Sequence, residues 1–215
     1  MQWMLYKKKL TDGLLFEFYD SRRAFSEQIT RCLVHLHAHN FVHCDLNVSN
    51  VFVTAEMIAK VGDLQGQLYR PDGSIEMPIM SQENAKSRHP LAGDDEFSTR
   101  TDVFALGTLL YHLWHGHAPF PDLDEQTQET EIQGRYLRGE YPVNVAKAVG
   151  IDGIIGRCWT SKYTHAHEVL EDLLAIAGKA LIQVAYHAAG DYDWGKLDEA
   201  NERNRVRTIL SPGLL

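Results

Sequence analysis

The chain has 215 residues, with 21 Lys and Arg against 29 Asp and Glu, and a formal net charge of −8 at pH 7. That acidic balance opposes sequence-independent binding to nucleic acid or to an anionic membrane, because the summed field repels phosphate. Intrinsic disorder is excluded as well, since four Trp, eight Phe and nine Tyr supply more core-forming surface than disordered chains carry.

In chain order, Leu14 to Phe18 is a short apolar run behind the turn dipeptide Asp12-Gly13 and reads as a strand, with Tyr6 to Leu10 as its partner across the turn. The period then changes. Phe25, Ile29, Cys32, Leu33 and Leu36 mark one face of a helix, and Asn40 suits a left-handed terminator for it. Phe41 to His43 and Val51 to Val53 are short β-like runs, and Ile58 to Val61 is a third, interrupted by Gly62-Asp63. Residues 64 to 100 read as an irregular loop. A strong helix follows, with Val103, Leu106, Leu110 and Leu113 at steps of three, four and three, Thr101 near its start and Gly116 beyond its end. Helical stretches are expected around Gln126 to Arg138 and Val143 to Trp159. A last helix runs from about His167 to Ala188, its wide apolar face built from Val169, Leu170, Leu173, Leu174, Ala177, Leu181 and Val184.

Three cysteines, Cys32, Cys44 and Cys158, without a Cys-x-x-Cys pair argue against a disulfide framework or a zinc knuckle and for a reducing compartment. Lys7, Lys8 and Lys9 are followed by no signal-like apolar stretch, and no run reaches the 18 apolar residues that span a bilayer. A soluble intracellular protein, most simply cytoplasmic, is the expectation. His35 and His39, one helical turn apart, lack a Glu or Cys to complete a ligand set.

The chemistry concentrates in Val42-His43-Cys44-Asp45-Leu46-Asn47-Val48-Ser49-Asn50-Val51. A carboxylate and an amide stand five residues apart on one loop between two short strands, and Asp63 follows 18 residues after Asp45. An Asp and an Asn converging on one point suit a hard divalent cation that keeps water and phosphate oxygens as its other ligands. Asp45 is then free to accept or orient a hydroxyl proton.

This pattern resembles the protein-kinase family, whose catalytic loop reads His-Arg-Asp-Leu-x-x-x-Asn and whose Asp-Phe-Gly motif supplies the main magnesium carboxylate. His43 to Asn50 matches the first motif, and Asp63-Leu64-Gln65 the second. Thr101 to Gly107 resembles the large-lobe helix whose Asp, here Asp102, bonds the catalytic-loop backbone. Ile154 to Trp159 resembles the Cys-Trp segment near the end of that lobe. The resemblance implies an α+β, mainly helical, kinase-like C-terminal lobe over residues 21–188. A small-lobe remnant and hinge would occupy 1–20, with Tyr19-Asp20 as the hinge, and a charged tail 189–215. It implies Asp45 as catalytic base, Asn50 and Asp63 as magnesium ligands, and Phe52, Asn50 and Asp63 as cofactor-contacting positions. ATP and Mg are the implied cofactors, with a protein Ser/Thr substrate or a protein partner. His43 and Leu64 would be packed spine residues.

The departures bear on activity. Cys44 replaces the Arg before the catalytic Asp, Asn47 the Lys two residues after it, and Gln65 the Gly of the magnesium motif. Ser81-Gln82-Glu83 is a loose match to Ala-Pro-Glu, with no Arg after Trp159 to pair with that Glu. No Gly-x-Gly-x-x-Gly precedes the first helix. Together these imply a weak catalyst or a pseudokinase scaffold; a small-molecule phosphotransferase, which shares the loop, fits the downstream landmarks less well.

Overall fold

The computed structural model describes residues 8–9, 19–81, 83–93 and 96–188. The expected hairpin of Tyr6–Leu10 with Leu14–Phe18 lies largely outside them; its described part, β1 (Lys8–Lys9), pairs antiparallel with a strand elsewhere. Helix α1 (Tyr19–Ala38) begins at the two residues read as a hinge, which form its first turn. Phe25, Ile29 and Leu33 are buried, whereas Cys32 and Leu36 at the edge of the stripe are half-buried. The helix ends where Asn40 takes φ 58°, a conformation that its short polar side chain tolerates.

Two small antiparallel sheets follow. In the first, β3 (Val51–Val53) pairs with β1 on one side and with β4 (Ala59–Val61) on the other, in the register Val51 to Val61 and Val53 to Ala59. In the second, β2 (Phe41–Val42) pairs with β5 (Gln67–Tyr69), which pairs with β6 (Ile75–Met77). The segment expected to be irregular therefore contains a hairpin. Its turn is Pro71-Asp72-Gly73-Ser74, where Gly73 sits at φ 83° and Asp72 Oδ1 accepts the Ser74 N–H at 2.9 Å. A Pro-Asp-Gly turn carries this signal in sequence, but the flanking strands are three residues long and half-exposed, so no alternating apolar face announces them.

Helix α2 (Thr99–His115) is preceded by Ser98, whose N–H donates to Thr101 Oγ1 at 3.1 Å, and ends at Gly116 with φ 81°. Every residue from Thr101 to Tyr111 is buried, so this helix runs through the core instead of lying on it. Arg22 of α1 donates to the Trp114 carbonyl at 3.0 Å, a cation at the negative end of α2. Trp114 Nε1 in turn donates to Ser26 Oγ at 2.9 Å.

Helix α3 (Glu129–Leu137) is shorter than its periodicity implied, and only the second half of the next stretch is helical, as α4 (Gly150–Trp159). Helices α2 and α4 cross at Gly107, where a Cβ would stand 2.6 Å from Cys158 Cβ. Trp159 is buried there and donates from Nε1 to Thr108 Oγ1 at 3.0 Å. Helix α5 spans Ala166–Ala188, with Val169 and Leu173 buried and Leu174 exposed; Ala177, Leu181 and Val184 have side chains outside the described set. The chain divides into two compact units, Met1–Leu173 and Leu174–Leu215, the cut falling inside α5 and upstream of residue 189. The sheets and the site belong to the first unit. The architecture is the expected mainly helical α+β one. Among the described residues no helix is long and apolar enough to cross a membrane.

Candidate active site

The loop between β2 and β3 is held from beneath by one side chain. Asp102, fully buried in the first turn of α2, accepts the His43 N–H at 2.7 Å on Oδ2 and the Cys44 N–H at 3.0 Å on Oδ1. The N-terminal end of a helix favours a negative charge, so α2 both positions and stabilises this carboxylate. A third contact was not legible in sequence: His37 Nε2, from the last turn of α1, lies 2.9 Å from Asp102 Oδ2. Cys44 sits at φ 63°, a left-handed conformation that a non-glycine residue keeps only when its surroundings impose it. Asp102 imposes it. The Cys44 thiol is buried and its Sγ donates to the Val42 carbonyl at 3.3 Å. Its titration is pushed far up by burial first and by Asp102 second, with Asp45 a minor contributor.

His43 is fully buried, as a packed residue should be. Its Nε2 lies 3.1 Å from the Gly62 carbonyl, and its Nδ1 faces the Asp45 N–H at 3.4 Å. The network assigns the proton to Nε2, so this imidazole offers no base to a substrate.

Asp45 is half-buried and both its carboxylate oxygens are held. Asn47 Nδ2 donates to Oδ1 at 2.8 Å and Asn50 Nδ2 to Oδ2 at 2.9 Å. Asn50 also donates to the Asp45 carbonyl at 2.8 Å. Burial pushes the Asp45 carboxyl up from the ordinary aspartate value, and the two amides oppose it. A single 3-10 turn, Val48–Asn50, creates this geometry: Asn47 Oδ1 accepts the Ser49 N–H at 2.8 Å, and the turn brings residue 50 back over residue 45.

Asn50 and Asp63 are brought together by the β3–β4 pair. The Gly62 N–H donates to the Asn50 carbonyl at 2.8 Å, so Asp63 follows directly on a residue bonded to Asn50. Asp63 stands exposed at φ 57°, and its side chain has no ion pair among the described residues. Asn50 spends its Nδ2 on Asp45 and leaves its side-chain oxygen without a protein donor there. A free carboxylate and a free amide oxygen are the oxygen donors that a magnesium ion takes from protein when phosphates and water complete its shell. Among the described residues no group of three or more His, Cys, Asp or Glu converges as a metal site, and His35 and His39 are merely neighbours, with ring centroids 4.3 Å apart. Phe52 packs over Gly62, where a Cβ would lie 2.7 Å from its ring.

Two expectations are corrected here. Leu64 is half-exposed, at 50%, and does not fill an apolar spine position, because the left-handed Asp63 turns the chain outward. The glycine that this turn needs is not at residue 65 but one step later. A Cβ on Gly66 would stand 2.0 Å from the Val42 carbonyl oxygen and 2.5 Å from that of His43. Gly66→Ala is expected to cost about 1–3 kcal/mol or more by overpacking, read as a lower urea midpoint; an unchanged midpoint would contradict the close approach.

Glu83, the loose match to a motif glutamate, is 8% exposed, and its Oε1 has no hydrogen-bond partner among the described residues. Burial, with the Asp102 and Asp45 carboxylates behind it, pushes its pKa up to about 9 against a lowering pull from Arg88. Arg157, within the Cys-Trp segment, is spent elsewhere, on Asp172 at 2.9 Å and the Tyr163 hydroxyl.

Residues 19–170 match the protein tyrosine and serine/threonine kinase family. The tyrosine-protein kinase Btk of Drosophila melanogaster is 29% identical over 167 residues, covering 72% of this chain and 20% of that protein. The serine/threonine-protein kinase PLK4 of Drosophila yakuba is 31% identical over 114 residues, covering 52% of this chain and 15% of that protein. The chain thus spans a fifth or less of the length of these relatives. The match covers α1 to α4 and both sheets' loop strands, including the Asp102 anchor, and on that span this chain belongs to the protein tyrosine and serine/threonine kinase family.

Proposed function

We propose that the first unit carries out ATP-dependent phosphoryl transfer to a Ser or Thr hydroxyl of a protein. The observation that carries the reading is the Asp45 carboxylate, fixed by the Asn47 and Asn50 amides on a loop that Asp102 anchors. Asp45 orients the acceptor hydroxyl and takes its proton as the hydroxyl oxygen bonds to the γ-phosphorus; the bond to the β–γ bridging oxygen breaks and ADP leaves with that electron pair. Asn50 and Asp63 would hold magnesium, which neutralises phosphate charge when bound. Phe52 offers apolar surface beside them to the nucleotide. Burial raises the Asp45 carboxyl, which suits a group that must accept a proton.

A second reading, a scaffold that binds nucleotide or partner without turnover, is favoured by one observation. Asn47 stands where the family carries a phosphate-facing lysine, and its amide is spent on Asp45. An amide cannot supply a lysine's charge to the transferred group.

One experiment separates them: thermal unfolding of the chain with Mg-ATP, and label transfer from γ-labelled ATP to Ser- and Thr-containing peptides. The expected result is a Tm rise that Asp63→Ala abolishes, with transfer reduced about 10²–10⁴-fold by Asp45→Asn. A Tm rise without transfer establishes the scaffold, and the absence of both overturns nucleotide use by this chain.

A further inference from the structure

Two exposed histidines stand at the C-terminal end of α1, outside the site at Asp45. His35 and His39 lie one turn apart, with ring centroids 4.3 Å from each other. They form no closed metal centre, because among the described residues no third ligand joins them, but they have the chemistry of an open chelate. His39 Nδ1 lies 2.8 Å from the His35 carbonyl oxygen. A carbonyl only accepts, so Nδ1 carries the proton and Nε2 keeps its lone pair for a ligand outside the helix. Metal-binding imidazoles are set in this way, one ring nitrogen donating to a carbonyl while the other faces the ion. The His35 ring has no hydrogen-bond partner among the described residues, so its lone pair is free as well.

The separation of the rings selects the kind of ion. Two imidazoles bound to one ion at about 2.0–2.1 Å place their centroids about 4.5 Å apart at a right angle and about 5.2 Å apart at a tetrahedral angle. The observed 4.3 Å fits the right angle, which square-planar and octahedral ions offer and tetrahedral zinc does not. The surroundings favour a cation. The pair stands at the negative end of a 20-residue helix, and Arg31, one turn before His35, is tied to Glu27 at 2.9 Å.

An ion held there grips the joint between α1 and the catalytic loop. His37, between the two ligands in sequence, is the residue that reaches Asp102. The His39 and Asn40 N–H groups close the helix on the Leu36 and His37 carbonyls, at 3.0 Å each. We propose that His35 and His39 chelate one divalent transition-metal ion of right-angle geometry, with water in its other positions, and that its binding clamps this joint. The chelate does not depend on Asp45 or on nucleotide use.

The test is calorimetric titration of the full chain with nickel(II) chloride and with zinc(II) chloride in a non-chelating buffer, followed by amide hydrogen exchange at saturating nickel. Nickel is expected to bind at least threefold tighter than zinc. His35→Ala should weaken nickel binding about tenfold or more, and His35→Ala with His39→Ala should weaken it no further, because a chelate is lost whole with either ligand. His165→Ala, which removes another exposed imidazole with a neighbouring ring at 5.5 Å, should leave the affinity unchanged. Saturating nickel should slow exchange at the His39 and Asn40 amides at least fivefold in the wild type and not in His35→Ala. Both side chains are exposed, so an unchanged Tm of His35→Ala without metal separates loss of the ion from loss of the fold. Nickel affinity that survives His35→Ala overturns the chelate, and zinc held as tightly as nickel overturns the right-angle geometry. Unchanged exchange at the two amides overturns the clamp.

Discussion

Replacing Asp102 by Ala is expected to cost about 3–5 kcal/mol, the range for removing one partner of a buried charged network. The substitution leaves the His43 and Cys44 N–H groups without an acceptor in a fully buried place, and His37 Nε2 loses its carboxylate. Each buried orphan costs about 1–3 kcal/mol, so the total does not depend on any single contact. For a chain of this size a loss of about 4 kcal/mol lowers the Tm by roughly 10 °C. Asp102→Asn should fall between, because one amide oxygen still accepts while the amide donor meets a backbone N–H. Urea unfolding measures the cost, and hydrogen exchange at the His43 and Cys44 amides locates it. Fast exchange at those two amides with the core of α2 still protected is the expected pattern. A loss below about 1 kcal/mol would mean that the loop does not depend on α2.

The same substitution separates the loop's strain from its stability. Cys44 is held at φ 63° and relaxes once Asp102 no longer accepts its N–H, which shifts Asp45, the next residue. Any Mg-ATP response should therefore disappear at temperatures where Asp102→Ala is still folded.

The anchoring role of Asp102 follows in sequence from the resemblance to the kinase family, and periodicity supplies the helix that carries it. Val103, Leu106, Leu110 and Leu113, all fully buried, repeat with a helical period, which fixes α2 as an element and Asp102 as its first-turn residue. The loop from His43 to Asn50 was legible by its spacing of Asp and Asn. What escaped was contact between elements distant in sequence. His37 was one of eleven histidines until α1 carried it to Asp102, 65 residues away. The β5–β6 hairpin escapes sequence reading because Ile75 is 51% exposed and the buried residue of β5, Gln67, is polar, so no alternating apolar face announces the strands. The motif implies a packed Leu64, whereas the backbone conformation of Asp63 decides where it points. The role of Gly66 likewise depends on the Val42 and His43 carbonyls that approach it, and local sequence does not encode that approach.

Glu83 provides the second large effect, through pH. Its carboxyl ordinarily titrates at 4.5 and is pushed up to about 9 by burial and by the Asp102 and Asp45 carboxylates. The folded state therefore keeps this proton from pH 4.5 to about 9, while the unfolded chain loses it near 4.5. In that window the native state binds more protons than the unfolded state, so stability falls as pH rises. The contribution is complete below pH 4.5 and gone above about 9. At about 1.36 kcal/mol per pH unit the full displacement is about 6 kcal/mol, and water entry and relaxation around an ionised Glu83 reduce it to about 3 kcal/mol. Glu83→Gln keeps the shape and removes the titration. The wild type and Glu83→Gln should then have similar urea midpoints near pH 4.5, and the wild type should fall progressively behind towards pH 9. Taking the difference between the two proteins cancels the other shifted groups, including His89 and His112, whose lowered values act in the opposite sense. A gap that stays constant across the window would show that Glu83 is ionised in the fold and that a cation reaches it. A gap that opens with pH means that the loop at Asp45 is built against a neutral carboxylic acid, where the family has an arginine-paired glutamate, and that alkaline pH loosens it by placing a third negative charge beside Asp45 and Asp102.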